Sequence, residues 1–289
     1  MNLPDILENP RVPAAIRFAL DEDIGSGDAT TIALVDPSTT AEGVIFPRSE
    51  CRVAGATVGM AVLHAVDPDI SCEVLIPDGG DAEANAPILR FRGRAASILT
   101  AERVALNFMQ RMCGIATMTR RFTRAVADYG TMILDTRKTT PGLRAFEKYS
   151  VLCGGGTNHR MGLYDRVMVK DNHRRLWAGG DPFSLDRAVA ESRKRFPGLA
   201  VEVEVETLDE CRSALLGRPE WILLDNMPCA LMSECVRLCK GISLTEASGG
   251  ITYERIREVA ETGVDAISFG CLTHSVTACD LSLEWSLVG

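Results

Sequence analysis

Val201-Glu-Val-Glu-Val-Glu-Thr-Leu-Asp-Glu210 carries a strand straight into the start of a helix. The valines at 201, 203 and 205 have the branched side chains that favour extended backbone. Thr207 followed by Glu210 is a capping box, which opens a helix. The same strand-then-helix pattern recurs on both sides. Upstream, Met132-Ile-Leu134 reads as a strand, and Thr140-Pro141 as the cap and first turn of a helix ending before Gly154. Val167-Met-Val169 is the next strand, with Pro182 opening a helix. Downstream come Trp221-Ile-Leu-Leu224 with a helix from Pro228, Ile242 to Thr245 with a helix capped by Thr252, and Val264 to Phe269. About six βα units in succession predict a parallel sheet or barrel, short of the eight strands of a closed one.

The first hundred residues read differently. Val44 to Phe46, Cys51 to Ala56 and Cys72 to Ile76 are short apolar runs separated by Pro, Gly and Asp, and they predict strands. Thr100 then caps a long amphipathic helix with Val104, Ala105, Phe108, Met109 and Met112 on one face. Asp21 to Asp28 fails the spacing of a calcium loop and reads as a turn, and Gly154-Gly-Gly156 as a helix end that lets the chain turn towards His159. His64 reads as a helix or core residue, and His274 as one that touches the strand-end rim or merely packs.

A chain of 289 residues with 46% apolar and 24% charged residues builds an ordinary globular core. Its formal charge of -8 argues against nucleic acid or an anionic membrane as the main partner. No apolar run approaches the roughly 18 residues of a membrane span, and the first residues lack a basic and an apolar leader region, so a cytoplasmic protein is expected. The ten cysteines form no Cys-x-x-Cys pair and read as reduced thiols rather than a zinc site.

Against that acidic background, residues 135–173 form a cationic island: Arg137, Lys138, Arg144, Lys148, Arg160, Arg166 and Lys170 face only Asp135, Glu147, Asp165 and Asp171. Charge and glycine fall where the strands end. Arg137 and Lys138 follow the first barrel strand, Lys170 the second, Glu204 lies near the end of the third, and Asp225 ends the fourth. Ser248-Gly249-Gly250 follow the fifth and Gly270 the sixth. In a barrel these ends meet at one mouth. Two or more arginines predict a substrate carrying carboxylates. Glu204 and Asp225 beside them suit a divalent metal held by oxygen, Mg²⁺ where phosphate is present. Ser248-Gly249-Gly250 before Thr252 offers backbone N–H groups to a phosphate, and Gly270 fits the same cradle. Arg103, in the first turn of its expected helix, opposes the helix dipole; it is either an ordinary surface arginine or an anion ligand.

Thr136-Arg-Lys-Thr-Thr-Pro-Gly-Leu-Arg144, Glu147-Lys-Tyr149, Asn158-His-Arg-Met-Gly-Leu163, Lys170-Asp-Asn-His173, Glu202-Val-Glu204, Leu224-Asp-Asn226, Glu246-Ala-Ser-Gly-Gly-Ile251 and Leu272-Thr-His-Ser275 resemble the nicotinate-nucleotide pyrophosphorylase family, also called quinolinate phosphoribosyltransferase (decarboxylating). Glu102-Arg-Val-Ala-Leu-Asn107 and Gly114-Ile-Ala-Thr117 extend the likeness over nearly the whole chain. The resemblance implies an α/β protein of the type II phosphoribosyltransferase fold. An N-terminal α/β sandwich domain would span 1–117, with 277–289 returning to it, and an incomplete, open α/β barrel would span 118–276.

It also implies an enzyme of NAD biosynthesis that joins quinolinate to 5-phosphoribosyl 1-pyrophosphate. By position, Arg137, His159, Arg160 and Lys170 would surround the quinolinate carboxylates, and Lys138 would help hold the anionic substrates. Glu204 and Asp225 would reach the ribose hydroxyls and Mg²⁺, and Ser248, Gly249, Gly250 and Gly270 would take the 5-phosphate. Lys138, Glu204 and Asp225 are the catalytic candidates; the proton for the decarboxylated carbon can come from Lys138, His159 or water. Arg103 would enter the neighbouring subunit's site, which makes a homodimer or larger homo-oligomer the working unit. Two other readings compete: a paralogue on the same fold with a different substrate, and a non-catalytic phosphometabolite-binding barrel. The Glu147-Lys-Tyr149 and Asn158-His-Arg160 segments favour the quinolinate enzyme over the first. Glu204 and Asp225 argue against the second, because phosphate capture alone does not require two acids at the rim.

Overall fold

The computed structural model describes residues 3–177 and 184–288; the helix start expected at Pro182 lies outside them. The chain divides into two units. One comprises Met1–Arg120, Lys138–Gly156 and Cys271–Gly289, the other Arg121–Arg137 and Thr157–Gly270. In chain order the strands are β1 (Thr40–Pro47), β2 (Cys51–Arg52), β3 (Ser71–Val74), β4 (Asp81–Ala82), β5 (Leu89–Arg94), β6 (Met132–Leu134), β7 (Val167–Val169), β8 (Val201–Val205), β9 (Trp221–Asp225), β10 (Leu244–Ser248), β11 (Ala266–Ser268) and β12 (Leu281–Leu287).

The first unit is built on an antiparallel sheet of order β12-β1-β5-β3, beside the small pair β2-β4. The C-terminal strand returns to β1 in the register Ala41↔Leu287 to Pro47↔Leu281. Gly43 is required there, because a Cβ would meet the Glu284 carbonyl and the Phe91 ring. The strand expected over Cys51 to Ala56 stops at Arg52, since Gly55 at φ +88° turns the chain into the helix Ala56–Val66.

The long helix runs Ala95–Ala125, so Thr100 is inside it and not its cap. The Thr100 hydroxyl donates to the Ala96 carbonyl at 2.9 Å, the bond a mid-helix threonine makes. Val104, Ala105, Met109 and Met112 are buried along its apolar stripe. Phe108 stacks on Phe146 at 4.8 Å, which seats the helix Arg144–Cys153 in the same core. That helix starts three residues later than Thr140 predicts. Gly142 at φ +82° makes a turn, and the Thr140 N–H goes to the Glu147 carboxylate at 3.1 Å. It ends before Gly154 as expected.

The second unit holds six parallel strands in the order β6-β11-β10-β9-β8-β7. An all-parallel sheet is buried on both faces, so its strands read as apolar runs. Ile133, Val203, Ile222, Leu224, Ala247 and Ile267 form its core. The order advances monotonically from β7 to β11, with β6 joining beyond β11; this is an open-barrel sheet. β10 begins at Leu244, two residues later than the apolar run at Ile242, because the helix Cys229–Cys239 is followed by Gly241 at φ +76° and Ile242 closes that turn on Cys239.

Candidate active site

Parallel pairing sets the C-terminal strand ends side by side. Ser248 of β10 is in register with Asp225 of β9, and Glu204 of β8 with Leu223 two residues before Asp225. Lys170 follows β7 directly, and its Nζ lies 2.6 Å from Glu204 Oε2. The Asn226 N–H donates to the Ser248 carbonyl at 2.9 Å, tying the β9 and β10 ends together. Gly249 and Gly250 have φ of +89° and +58°, so the backbone turns back over Asp225 and Asn226. Thr252 precedes a single 3-10 turn, Tyr253–Arg255, before the short helix Ile256–Ala260. Gly270 follows Phe269, whose N–H bonds the Leu134 carbonyl at 2.9 Å.

Arg160 and Arg137 are close enough for charge to matter. Burial and then the Arg137 guanidinium lower the pKa of Arg160. The Arg160 guanidinium donates to the Arg166 carbonyl at 3.2 Å and faces Met168 Sδ at 3.6 Å. Among the described residues it meets no carboxylate within ion-pair distance. Two neighbouring guanidiniums, one of them without an ion pair, have the chemistry to hold an anion.

His159 lies deeper than a rim residue, at 6% exposure. Its own N–H donates to the buried Asp135 carboxylate at 2.8 Å. The Arg160 N–H donates to His159 Nδ1 at 2.7 Å, so that nitrogen carries a lone pair and the ring proton sits on Nε2. Nε2 donates to Glu202 Oε2 at 3.0 Å and faces Glu246 Oε2 at 3.3 Å. Burial disfavours charge on the ring, but its hydrogen bonds to the Glu202 and Glu246 carboxylates outweigh that and push the His159 pKa up to about 9. Protonating Nδ1 as well would give up the Arg160 hydrogen bond, so the raised proton affinity belongs to the ring and its two acids together. Burial and the nearby Glu202 charge hold the Glu246 carboxyl above the usual range. Burial also works to raise Glu202, but the His159 hydrogen bond and the Arg166 charge keep it below that range.

Arg166 completes the cluster, with Nη1 3.4 Å from Glu202 Oε2 and the guanidinium over the Trp221 ring at 5.2 Å. The Nε2 and carboxylate oxygens of His159, Glu202 and Glu246 lie within 4.8 Å of one another. Arg166 already supplies positive charge there, so the arrangement is a self-neutralised ion cluster rather than a cation cage.

Lys138 and Arg103 belong to the first unit. The Lys138 carbonyl accepts from Thr273 Oγ1 at 2.7 Å. Arg103 is exposed on the helix Ala95–Ala125. His274 is exposed and bonds Ser275 at 2.6 Å. The roles of Asp135, Arg166, Glu202 and Glu246 were not read from the sequence. The available signal was acids at 202 and 246 within strands that an all-parallel sheet keeps apolar. Arg111 was missed as well: it ion-pairs with buried Glu147 and donates to the Thr273 carbonyl at 2.7 Å, bracing the start of the 138–143 loop.

Comparison with known proteins gives two family models that together span most of the chain. "Quinolinate phosphoribosyl transferase, N-terminal domain" matches residues 28–113, and the corresponding C-terminal domain matches 115–284. A rice protein named nicotinate-nucleotide pyrophosphorylase [carboxylating], chloroplastic, is 41% identical over 94% of this chain and 76% of its own length. A Bacillus subtilis protein named as a probable enzyme of the same kind is 40% identical over 92% of this chain and 90% of its own. The solved structure of the nicotinate-nucleotide pyrophosphorylase from Francisella tularensis superimposes with a TM-score of 0.91 at 37% identity, covering 99% of this chain and 100% of that one.

Proposed function

The chain belongs to the quinolinate phosphoribosyltransferase family, and from that premise we propose how its residues carry out the family's reaction. The enzyme transfers phosphoribose from 5-phosphoribosyl 1-pyrophosphate to quinolinate, giving nicotinate mononucleotide, pyrophosphate and carbon dioxide for NAD biosynthesis. The observation that supports this most is the convergence in one unit of Arg137 and Arg160, Lys170 with Glu204, Asp225 and the Ser248-Gly249-Gly250 turn.

In this reading Arg137, Arg160 and Lys170 bind the two quinolinate carboxylates, and Ser248, Gly249, Gly250 and Gly270 receive the 5-phosphate through backbone N–H groups. The ring nitrogen attacks C1 of the ribose as the C1–O bond to pyrophosphate breaks, and that electron pair leaves with pyrophosphate. Glu204 and Asp225 face the positive charge that develops on the ribose. The ring nitrogen is then cationic. The bond from the adjacent carbon to its carboxylate breaks, carbon dioxide leaves, and the electron pair stays on the ring carbon until a proton arrives. Both His159 nitrogens are engaged inside their cluster, so we assign that proton to Lys138 or water.

The oxygen donors Glu204 and Asp225 at adjacent strand ends fit Mg²⁺, whose chemistry would be to neutralise pyrophosphate charge. We place the enzyme in the cytoplasm as a homodimer or larger assembly, with Arg103 serving the neighbouring subunit. Among the described residues no helix is long and apolar enough to cross a membrane. Turnover of the purified protein with phosphoribosyl pyrophosphate, Mg²⁺ and either quinolinate or nicotinate tests the reading. Nicotinate mononucleotide and carbon dioxide should form from quinolinate only. Absence of product with folded protein would favour the paralogue or the binding barrel.

A further inference from the structure

The six-stranded sheet leaves two edge strands, β6 and β7, that do not pair with each other. The segment 157–166 spans that interval. At one end Thr157 makes a parallel bridge to Leu134 of β6, donating to the Ile133 carbonyl at 2.8 Å. At the other end Arg166 leads into β7. Two residues after Thr157, the His159 ring points in among the strands and meets Glu202 of β8 and Glu246 of β10, at 0% and 1% exposure. Ser268 of β11 hydrogen-bonds Glu246. One imidazole thus ties the segment to β8 and β10 besides the two strands at its ends, and Glu246 carries the link on to β11. On its other side the same ring accepts the Arg160 N–H at 2.7 Å. The guanidinium of Arg160 is further held by the Arg166 carbonyl at 3.2 Å.

We infer that His159, Glu202 and Glu246 are positioning residues that staple segment 157–166 across the open edge of the barrel and so fix Arg160 for the quinolinate carboxylates. This rests on the reaction proposed above. Glu246 is closed to solvent and acts on substrate only through His159. Its replacement therefore separates positioning from contact. Alanine at 246 removes the seat of the ring. Glutamine keeps the chain length and presents a carbonyl and an N–H to the same neighbours, so it should restore the seat.

Steady-state kinetics test this with folded Glu246→Ala, Glu246→Gln, His159→Ala and the His159→Ala/Glu246→Ala double variant. E246A should raise KM for quinolinate about tenfold, the factor set by about 1.4 kcal/mol of lost binding. KM for phosphoribosyl pyrophosphate should move less than about threefold, and E246Q should return both constants towards the parent. The double variant should be no worse than H159A alone, because Glu246 acts through the ring. Equal rises in both KM values, an unchanged quinolinate KM, or additive losses in the double variant would overturn the inference. If the alanine variants do not fold, hydrogen exchange on the unsubstituted protein decides. The His159 and Arg160 amides should be protected before any quinolinate is added, and protection that appears only with quinolinate would remove the staple. Lack of turnover by the unsubstituted enzyme would instead refute the reaction itself, an outcome distinct from either of these.

Discussion

Lys170 Nζ lies 2.6 Å from Glu204 Oε2, so the cation assigned to quinolinate and the acid assigned to ribose hold each other on neighbouring parallel strands. The lysine side chain is 41% exposed, and a pair open to water on one side contributes only about 0.2–1 kcal/mol. Substrates can separate the pair at little cost. Glu204→Gln should therefore lower the melting temperature by no more than about 4 °C. It should cut kcat about 100-fold, the scale for losing one charge-stabilising group at a reacting centre. Thermal melts and turnover with quinolinate check this together. A large drop in melting temperature with kcat intact would make the pair structural.

The His159 cluster gives stability a pH dependence with a definite sign. Burial opposes charge there, but the hydrogen bonds to Glu202 and Glu246 outweigh it, so the His159 cluster holds its proton more tightly in the folded state, at about 9 against the ordinary 6.5 of a histidine. A group with a raised folded pKa contributes stability that is fully present below its unfolded pKa. That stability fades as pH rises through the folded value. Denaturation followed across this range should show it complete below about pH 6.5 and lost progressively towards pH 9, on the order of 3 kcal/mol in all. Glu246→Gln removes one of the two acids and should flatten the decline. A stability that rises across the same interval would show that the cluster holds no extra proton.

Gly249 and Gly250 are adjacent but make different demands. A Cβ on Gly249, at φ +89°, would sit 2.7 Å from the Asn226 backbone nitrogen and 2.9 Å from Asp225 Oδ1. Gly250, at φ +58°, has nothing nearer than Asn226 Oδ1 at 3.9 Å. Gly249→Ala should cost about 1–3 kcal/mol in strain, displace Asp225 and raise KM for phosphoribosyl pyrophosphate. Gly250→Asn uses the residue that best tolerates the left-handed region and should cost no more than about 1 kcal/mol. Urea titrations of both variants, with their kinetics, test the contrast; equal effects would mean that the turn is not shaped by Asp225.

The strands that carry this site were legible because valine, isoleucine and leucine run through Val201–Val205 and Trp221–Asp225 with little to compete. Helix starts were less so. Thr100 and Thr140 both have the hydroxyl that caps a helix, yet one bonds back to Ala96 and the other's N–H is taken by Glu147. A capping rule read from the hydroxyl alone does not register either partner. The rim residues were legible because each follows its own strand. Glu202 and Glu246 were not given a role, because their meeting depends on β8, β9 and β10 lying side by side with His159 inserted from another segment. No spacing along the chain encodes that. The expectation that His159 lines the quinolinate pocket came from the family resemblance of the Asn158-His-Arg160 segment. Its burial on two acids favours a role one step behind the substrate.

Arg103 supplies the test of the assembly. It is exposed on the helix Ala95–Ala125 while its neighbours Val104 and Ala105 are buried, so it projects away from the core of its own unit. If it completes a site on a second subunit, a protein carrying Arg103→Ala and one carrying Glu204→Gln fail for reasons located on different chains. In a two-fold dimer mixed from the two, one site collects both lesions and the other collects neither. Random exchange makes half of the dimers mixed, so about a quarter of all sites become intact. Activity should rise from near zero to about a quarter of the parent value after the two inactive proteins are unfolded together and refolded. It should stay near zero when they are refolded apart. No recovery, from a mixture shown to contain mixed dimers, would place Arg103 in its own subunit's site or outside the chemistry.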